Sequence, residues 1–150
     1  MPAINNLQLI EFTDLNFSLI DDLADESQRQ GHQFIQRTIS DWNNGENTFS
    51  GDGEKLWGLV SETKLIGIGG LNRDPYTEDL NVGRVRHLYI LSAHRRKGYA
   101  TLLMNTIIDK GRHHFNSLRL FTDNPAASEF YGTLGFQKIG APKTSHILNF

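Results

Sequence analysis

The chain has 150 residues, of which 38% are hydrophobic and 21% charged, and a formal net charge of −2. A chain of this size can bury its own core as one domain spanning residues 1–150, without metal or disulfide support. With no cysteine it has no disulfide, thiolate metal site or cysteine nucleophile. Its positive excess is confined to Arg84, Arg86, Arg95, Arg96 and Lys97, which argues against nucleic acid as a partner. No apolar run approaches the roughly 18 residues of a membrane span. Met1 to Asn6 lack the basic and hydrophobic regions of a signal sequence, so a cytoplasmic location with no membrane partner is expected.

Leu7 to Phe12 alternates apolar and polar residues as a strand does. Ile20, Leu23 and Ala24 mark one helical face, and Phe34, Ile35, Ile39 and Trp42 mark another, with Gly31 between them and Asn43-Asn44-Gly45 closing the second. Glu46 to Gly53 reads as a mobile surface loop. Lys55 to Val60 and Leu65 to Leu71 form an antiparallel hairpin in which Gly67-Ile68-Gly69-Gly70 marks a bulge or close backbone packing. Val82 to Leu91 is the next strand and Tyr99 to Lys110 an amphipathic helix, with Gly111 as its expected C-cap. Ser117 to Thr122 is a strand, Asn124-Pro125 starts a short helix that Gly135 ends, and a closing hairpin around Gly140-Ala141-Pro142 pairs Gln137 to Ile139 with Ser145 to Asn149. Trp42 and Trp57 are assigned to packing, and His113-His114 to solvated residues after the helix.

Between the strand ending at Leu91 and the helix beginning near Tyr99 lies Arg95-Arg96-Lys97-Gly98-Tyr99-Ala100. A helix's first amides have no intrahelical partner and point, with the positive end of its dipole, at whatever lies in front. Such a turn binds phosphate. Gly98 permits close approach or a positive φ, Ala100 keeps the helix start narrow, and the three cations add charge around one small anion.

This Arg/Gln-x-x-Gly-x-Gly/Ala turn, together with Asn124-Pro125, Ala126 to Tyr131 and Leu134-Gly135-Phe136 downstream, resembles the GNAT family of N-acetyltransferases. The resemblance implies an α/β fold of the GNAT-type acyl-CoA N-acyltransferase kind: a mixed, mostly antiparallel sheet splayed between its central strands and flanked by helices. It implies acetyl-CoA as donor, with coenzyme A as product. Arg95, Arg96, Lys97, Gly98, Tyr99 and Ala100 would hold its pyrophosphate, and the backbone of Leu88, Tyr89 and Ile90 would pair with its pantetheine arm. Asn124 and Ala127 match positions contacting that arm, and Tyr131 matches the tyrosine that protonates the departing thiolate. No metal is implied. The acceptor would be a small-molecule amine or a peptide. The protein is expected to be a monomer or homodimer, with an edge strand such as Ser145 to Asn149 open to pairing with a second copy. A non-catalytic acyl-CoA sensor, or an enzyme acting on protein lysines or N-termini, is the alternative.

The chemistry needs such parts. A strand amide, here that of Ile90, can stabilise the developing oxyanion, and a phenol with pKa about 10 can protonate a thiolate with pKa about 8.5. Tyr131 can instead be an aromatic packed beside Phe130 and Phe136. Exposing the lone pair of a lysine-like amine at pH 7 costs about 4.6 kcal/mol, against about 1.4 for an α-amine. Some family members place a glutamate on the central strand as base, but Arg84 stands at that position here and no carboxylate lies between Val82 and Leu91. His87, an ordered water, or Asp74, Glu78 or Asp79 would have to serve. Arg84 and Arg86 share a strand face by the period of two, and either receive a substrate carboxylate or pair with neighbouring acids.

Overall fold

The structure is a computed structural model that describes residues 7–14 and 17–150. Met1 to Asn6, where no signal sequence was expected, lie outside the described residues. The elements follow the expected order: β1 (Leu7–Glu11), α1 (Phe17–Arg29), α2 (Phe34–Asn44), β2 (Lys55–Ser61), β3 (Lys64–Arg73), β4 (Val82–Ile90), a 3-10 turn (Ser92–His94), α3 (Tyr99–His114), β5 (Ser117–Leu120), α4 (Pro125–Thr133), β6 (Gln137–Ala141) and β7 (Thr144–Asn149).

All seven strands form one mixed sheet in the order β1-β2-β3-β4-β5-β7-β6, antiparallel except between β4 and β5. Helices α1 and α2 pack together, with α1 on β3 and α2 on β4, and α3 packs against β2, β3, β4 and β5. On one face, Leu103, Met104 and Ile107 of α3 are fully buried; Ile20, Leu23 and Ile35 are buried from α1 and α2. Such aliphatic side chains contribute about 1.5–3 kcal/mol each, the main driving force for this layering. β3 is glycine-rich because its neighbours come close. A Cβ at Gly67 would sit 2.6 Å from the Ile90 side chain, and one at Gly70 would sit 2.6 Å from Phe49.

Four local expectations are corrected. Gly111 does not cap α3: the helix runs on to His114, and Gly111 is buried where a Cβ would stand 2.8 Å from Leu118. β5 ends at Leu120 rather than Thr122. β7 lies between β5 and β6, so it is not an edge open to a second copy; β6 and β1 are the edges. The loop 46–53 is fastened rather than free on the surface. Asn47 and Asn72 exchange two side-chain amide bonds of 2.9 and 3.0 Å, Glu54 accepts from the Gly51 and Arg73 amides, and Phe49 is 4% exposed.

Candidate active site

Strands β4 and β5 pair for three residues, Val82–Ser117, Gly83–Leu118 and Arg84–Arg119, and then part. β4 continues to Ile90 with only β3 beside it, leaving its other edge along a cleft of about 730 Å³. The Leu91 amide donates to Ile66 O at 2.8 Å, so by strand alternation the Ile90 amide points away from β3 and into the opening. An open strand edge of this kind receives extended ligands.

The turn after β4 closes one end of the cleft. Arg96 and Gly98 both take left-handed backbone conformations, φ 63° and 82°, and α3 starts at Tyr99. No atom lies within 4 Å of where a Gly98 Cβ would be, so the first turn of this 16-residue helix opens into the cleft. The Arg95 side chain folds back, donating to Ile90 O at 2.9 Å and Gln30 Oε1 at 3.1 Å while lying 5.2 Å from the Tyr89 ring centroid. Behind it, Glu26 accepts from the Tyr89 hydroxyl at 2.6 Å and from the Ser92 amide and hydroxyl at 2.9 and 2.8 Å. Burial alone would raise the Glu26 pKa; these bonds and the nearby Arg95 charge outweigh it and lower it.

Helix α4 forms the opposite wall. Asn124 Oδ1 accepts from the Ala126 and Ala127 amides at 2.9 and 3.2 Å, the N-cap its sequence forecast, and Ala127, Phe130 and Tyr131 face the cleft. The Tyr131 ring is 9% exposed, packed 5.8 Å from Phe136 and 6.2 Å from His146, and burial pushes its phenol up to about 12. His146 holds this wall. Its Nε2 meets Ser128 Oγ of α4 at 2.9 Å, its Nδ1 meets Ser145 Oγ at 2.7 Å, and Ser145 Oγ accepts from the Thr122 amide at 2.9 Å.

The remaining end is built on an irregularity of β4. Arg86 opposes Gly70 and Tyr89 opposes Ile68, so His87 and Leu88 together face Gly69. This bulge places His87 at φ 61°, a conformation histidine tolerates better than most residues. It also reverses the alternation: Tyr89 reaches Glu26 of α1, and the His87 ring stacks 5.9 Å from Phe34 of α2. Burial, then the Arg86 and Arg37 charges, hold the His87 pKa at about 3.

Arg84 stands 5% exposed, with Nη1 3.6 Å from Asp74 Oδ1 and 3.3 Å from Thr144 Oγ1, and Nη2 bonded to the Lys143 carbonyl. Tyr76 covers its guanidinium at 4.6 Å. Asp74, named above as a possible base, is thus committed to a buried ion pair, while Glu78 and Asp79 are exposed and do not line the cleft. The fold brings His87, Leu88, Tyr89, Ile90, Arg95, Arg96, Gly98, Tyr99, Ala100, Asn124, Ala127 and Tyr131 around one cleft; Lys97 is exposed and not part of its lining. His32, Phe34, Arg37 and Phe121 also line it; nothing in the chain marked them as site residues, and Phe34 read only as part of an apolar helical face. Their positions depend on packing between distant segments. Among the described residues, no aspartate or glutamate lines it.

Residues 16–136 match the model of the acetyltransferase (GNAT) family. A provisionally assigned acetyltransferase from Exiguobacterium sp. 255-15 superposes with a TM-score of 0.84 at 26% identity, over 96% of this chain and 93% of that one. A GNAT family acetyltransferase from Brucella melitensis, crystallised with acetyl-CoA, shares the fold at a TM-score of 0.74 and 10% identity, over 97% and 89% of the two chains. N-acetylglutamate synthase from Neisseria gonorrhoeae, in complex with coenzyme A and N-acetyl-glutamate, shares it at 0.65 and 18%, over 94% of this chain and 34% of that one. With the family model covering most of the sequence and the parted strands in place, the chain belongs to the GNAT family of acetyltransferases.

Proposed function

We propose that the chain transfers an acetyl group from acetyl-CoA to a primary amine by direct attack, without an acyl-enzyme. The observation that carries this reading is the parting of β4 from β5 directly in front of the α3 N-terminus. Membership of the family indicates acyltransferase activity. In this reading the α3 amides and Arg96 receive the pyrophosphate, and the space beside Gly98 lets the diphosphate approach the backbone. The free edge at Leu88 to Ile90 receives the pantetheine arm as an added strand. Asn124 and Ala127 bound the arm on the α4 side.

The thioester supplies an activated acetyl group and a thiol leaving group. The Ile90 amide stabilises the charge developing on the carbonyl oxygen, a type of contact worth about 3 kcal/mol. Tyr131 serves the departing sulfur. As the amine nitrogen bonds the carbonyl carbon the C–S bond breaks; the Tyr131 phenol, near pKa 12, stays protonated through neutral pH and donates a hydrogen bond to the sulfur, and the proton lost by the nitrogen passes to that sulfur, leaving amide and free thiol. His87 is neutral and accepts a hydrogen bond from the incoming amine. As a full base its pKa of about 3 lies about five units below that of an α-amine, so the amine arrives already neutral through exchange with water.

Incubating the protein with acetyl-CoA and a panel of amines, with free thiol read by a chromogenic reagent, tests this directly. The absence of cysteine removes protein background. Thiol release that requires an amine, with acetylated amine found by mass spectrometry, is expected. Binding of acetyl-CoA with no amine-dependent thiol would overturn it in favour of a non-catalytic sensor.

A further inference from the structure

Five arginines line the cleft, and their partners divide them. Arg84 is neutralised by Asp74, and Arg95 is tied to Ile90 O and Gln30 near Glu26. Arg96 lies at the mouth of α3. Arg37 and Arg86 are different. Neither guanidinium makes an ion pair or hydrogen bond with any described residue, yet both lie close enough to His87 to suppress its protonation. The β4 bulge brings Arg86 and His87 toward the face covered by α2, on which Arg37 sits in the turn after Phe34. Two unpaired guanidinia therefore flank the end of the cleft that the donor reading leaves for the acceptor. Among the described residues no lining carboxylate offsets them.

From this juxtaposition we propose that the acceptor is an amine that also carries an anion, a carboxylate or a phosphate, held by Arg37 and Arg86. The inference rests on the acetyl-transfer reading for the role of the amine. Guanidinium forks match carboxylate and phosphate oxygens bidentately. A polyamine or a lysine-rich peptide would bring several positive charges into a cleft that has no anion to meet them. The same field favours the neutral form of a nearby amine, which serves a site without a strong base.

The test uses matched amines on the full chain: glycine against glycinamide, O-phosphoethanolamine against ethanolamine, and spermidine as the cationic arm. Thiol release from acetyl-CoA gives kcat and KM, and titration of each amine into the coenzyme A complex gives affinity without turnover. The anionic member of one pair is expected to exceed its partner without the anion at least tenfold in kcat/KM. The pair that does so separates carboxylate from phosphate. Arg86→Met and Arg37→Met should raise the KM of that anionic amine at least tenfold more than the KM of its partner, with Arg86→Lys restoring part of the loss. Equal or better use of the amines without an anion, or of spermidine, would overturn the inference and leave acetyl transfer standing. Arginine-dependent binding of the anionic amine to the coenzyme A complex, with no thiol released by any amine, would support the anion site and overturn acetyl transfer. Anionic amines that neither turn over nor bind more tightly than their partners would overturn the anion site outright.

Discussion

The Tyr89 hydroxyl donates a 2.6 Å hydrogen bond to Glu26, a residue 63 positions earlier, and the same carboxylate accepts from the Ser92 amide at 2.9 Å. One side chain of α1 thereby ties together the end of β4 and the turn that leads into α3. Glu26→Gln should lower stability by about 1 kcal/mol, less than the roughly 1.5–3 kcal/mol of charged hydrogen bonds, because the group is only partly buried. Because the folded-state pKa of Glu26 lies below its ordinary 4.5, its contribution is present above that pH and is lost as pH falls through the lowered value. Urea unfolding of both proteins at pH 7 and pH 3 should show the difference shrinking in acid, and a constant difference would contradict the ion's role.

Gly98 has φ 82° and open space where a Cβ would project. Gly98→Ala should therefore cost only the backbone penalty, about 1 kcal/mol, with no packing loss. Gly98→Asp adds a negative charge at the helix mouth and should weaken acetyl-CoA binding at least tenfold in calorimetry. Undiminished affinity would refute the pyrophosphate assignment.

Tyr131→Phe should reduce kcat by roughly 10- to 100-fold and leave the KM for acetyl-CoA within about twofold, since it removes a donor to the leaving sulfur and keeps the ring's packing. With the phenol pushed up to about 12, the wild-type rate should show no loss from tyrosine ionisation below pH 10. A pH-rate profile checks both, and an unaltered kcat would remove the residue from the chemistry.

His87 is neutral in the folded protein down to about pH 3, against an ordinary value of 6.5. Between those values the unfolded chain binds a proton that the folded chain does not, so stability is full above pH 6.5 and falls as the medium becomes more acidic. One such proton gives a slope approaching 1.4 kcal/mol per pH unit. Replacing it, His87→Gln, should flatten the dependence between pH 6.5 and 5, a window above the titration of Glu26. Identical slopes in denaturant midpoints would show that the imidazole titrates normally.

How legible each feature was depends on how far apart its determinants lie. The Asn124 cap and the Gly98 turn are written in adjacent residues, because an N-cap needs one acceptor and a left-handed position needs one missing Cβ. Gly111 misled for the same reason. A glycine near the end of an apolar pattern looks like a C-cap, but here it exists to let Leu118 of β5 approach α3. That Arg84 pairs with a neighbouring acid was one of two readings open from the sequence, but the choice of Asp74 forms only when the Asp74 amide bonds Val82 O and brings its carboxylate to the Arg84 guanidinium.

Local chemistry along the chain determined the order of strands and helices, the anion-ready turn before α3 and the resemblance that named the family. These follow from residue spacing, capping and backbone freedom, which act over a few neighbours. The tertiary structure alone decided the register of β4 against β3, the bulge that gathers Arg86, His87 and Tyr89 on one face, and which charges are paired. A two-against-one count and a salt bridge each require a second segment brought close in space, and burial sets the direction in which His87 and Tyr131 titrate.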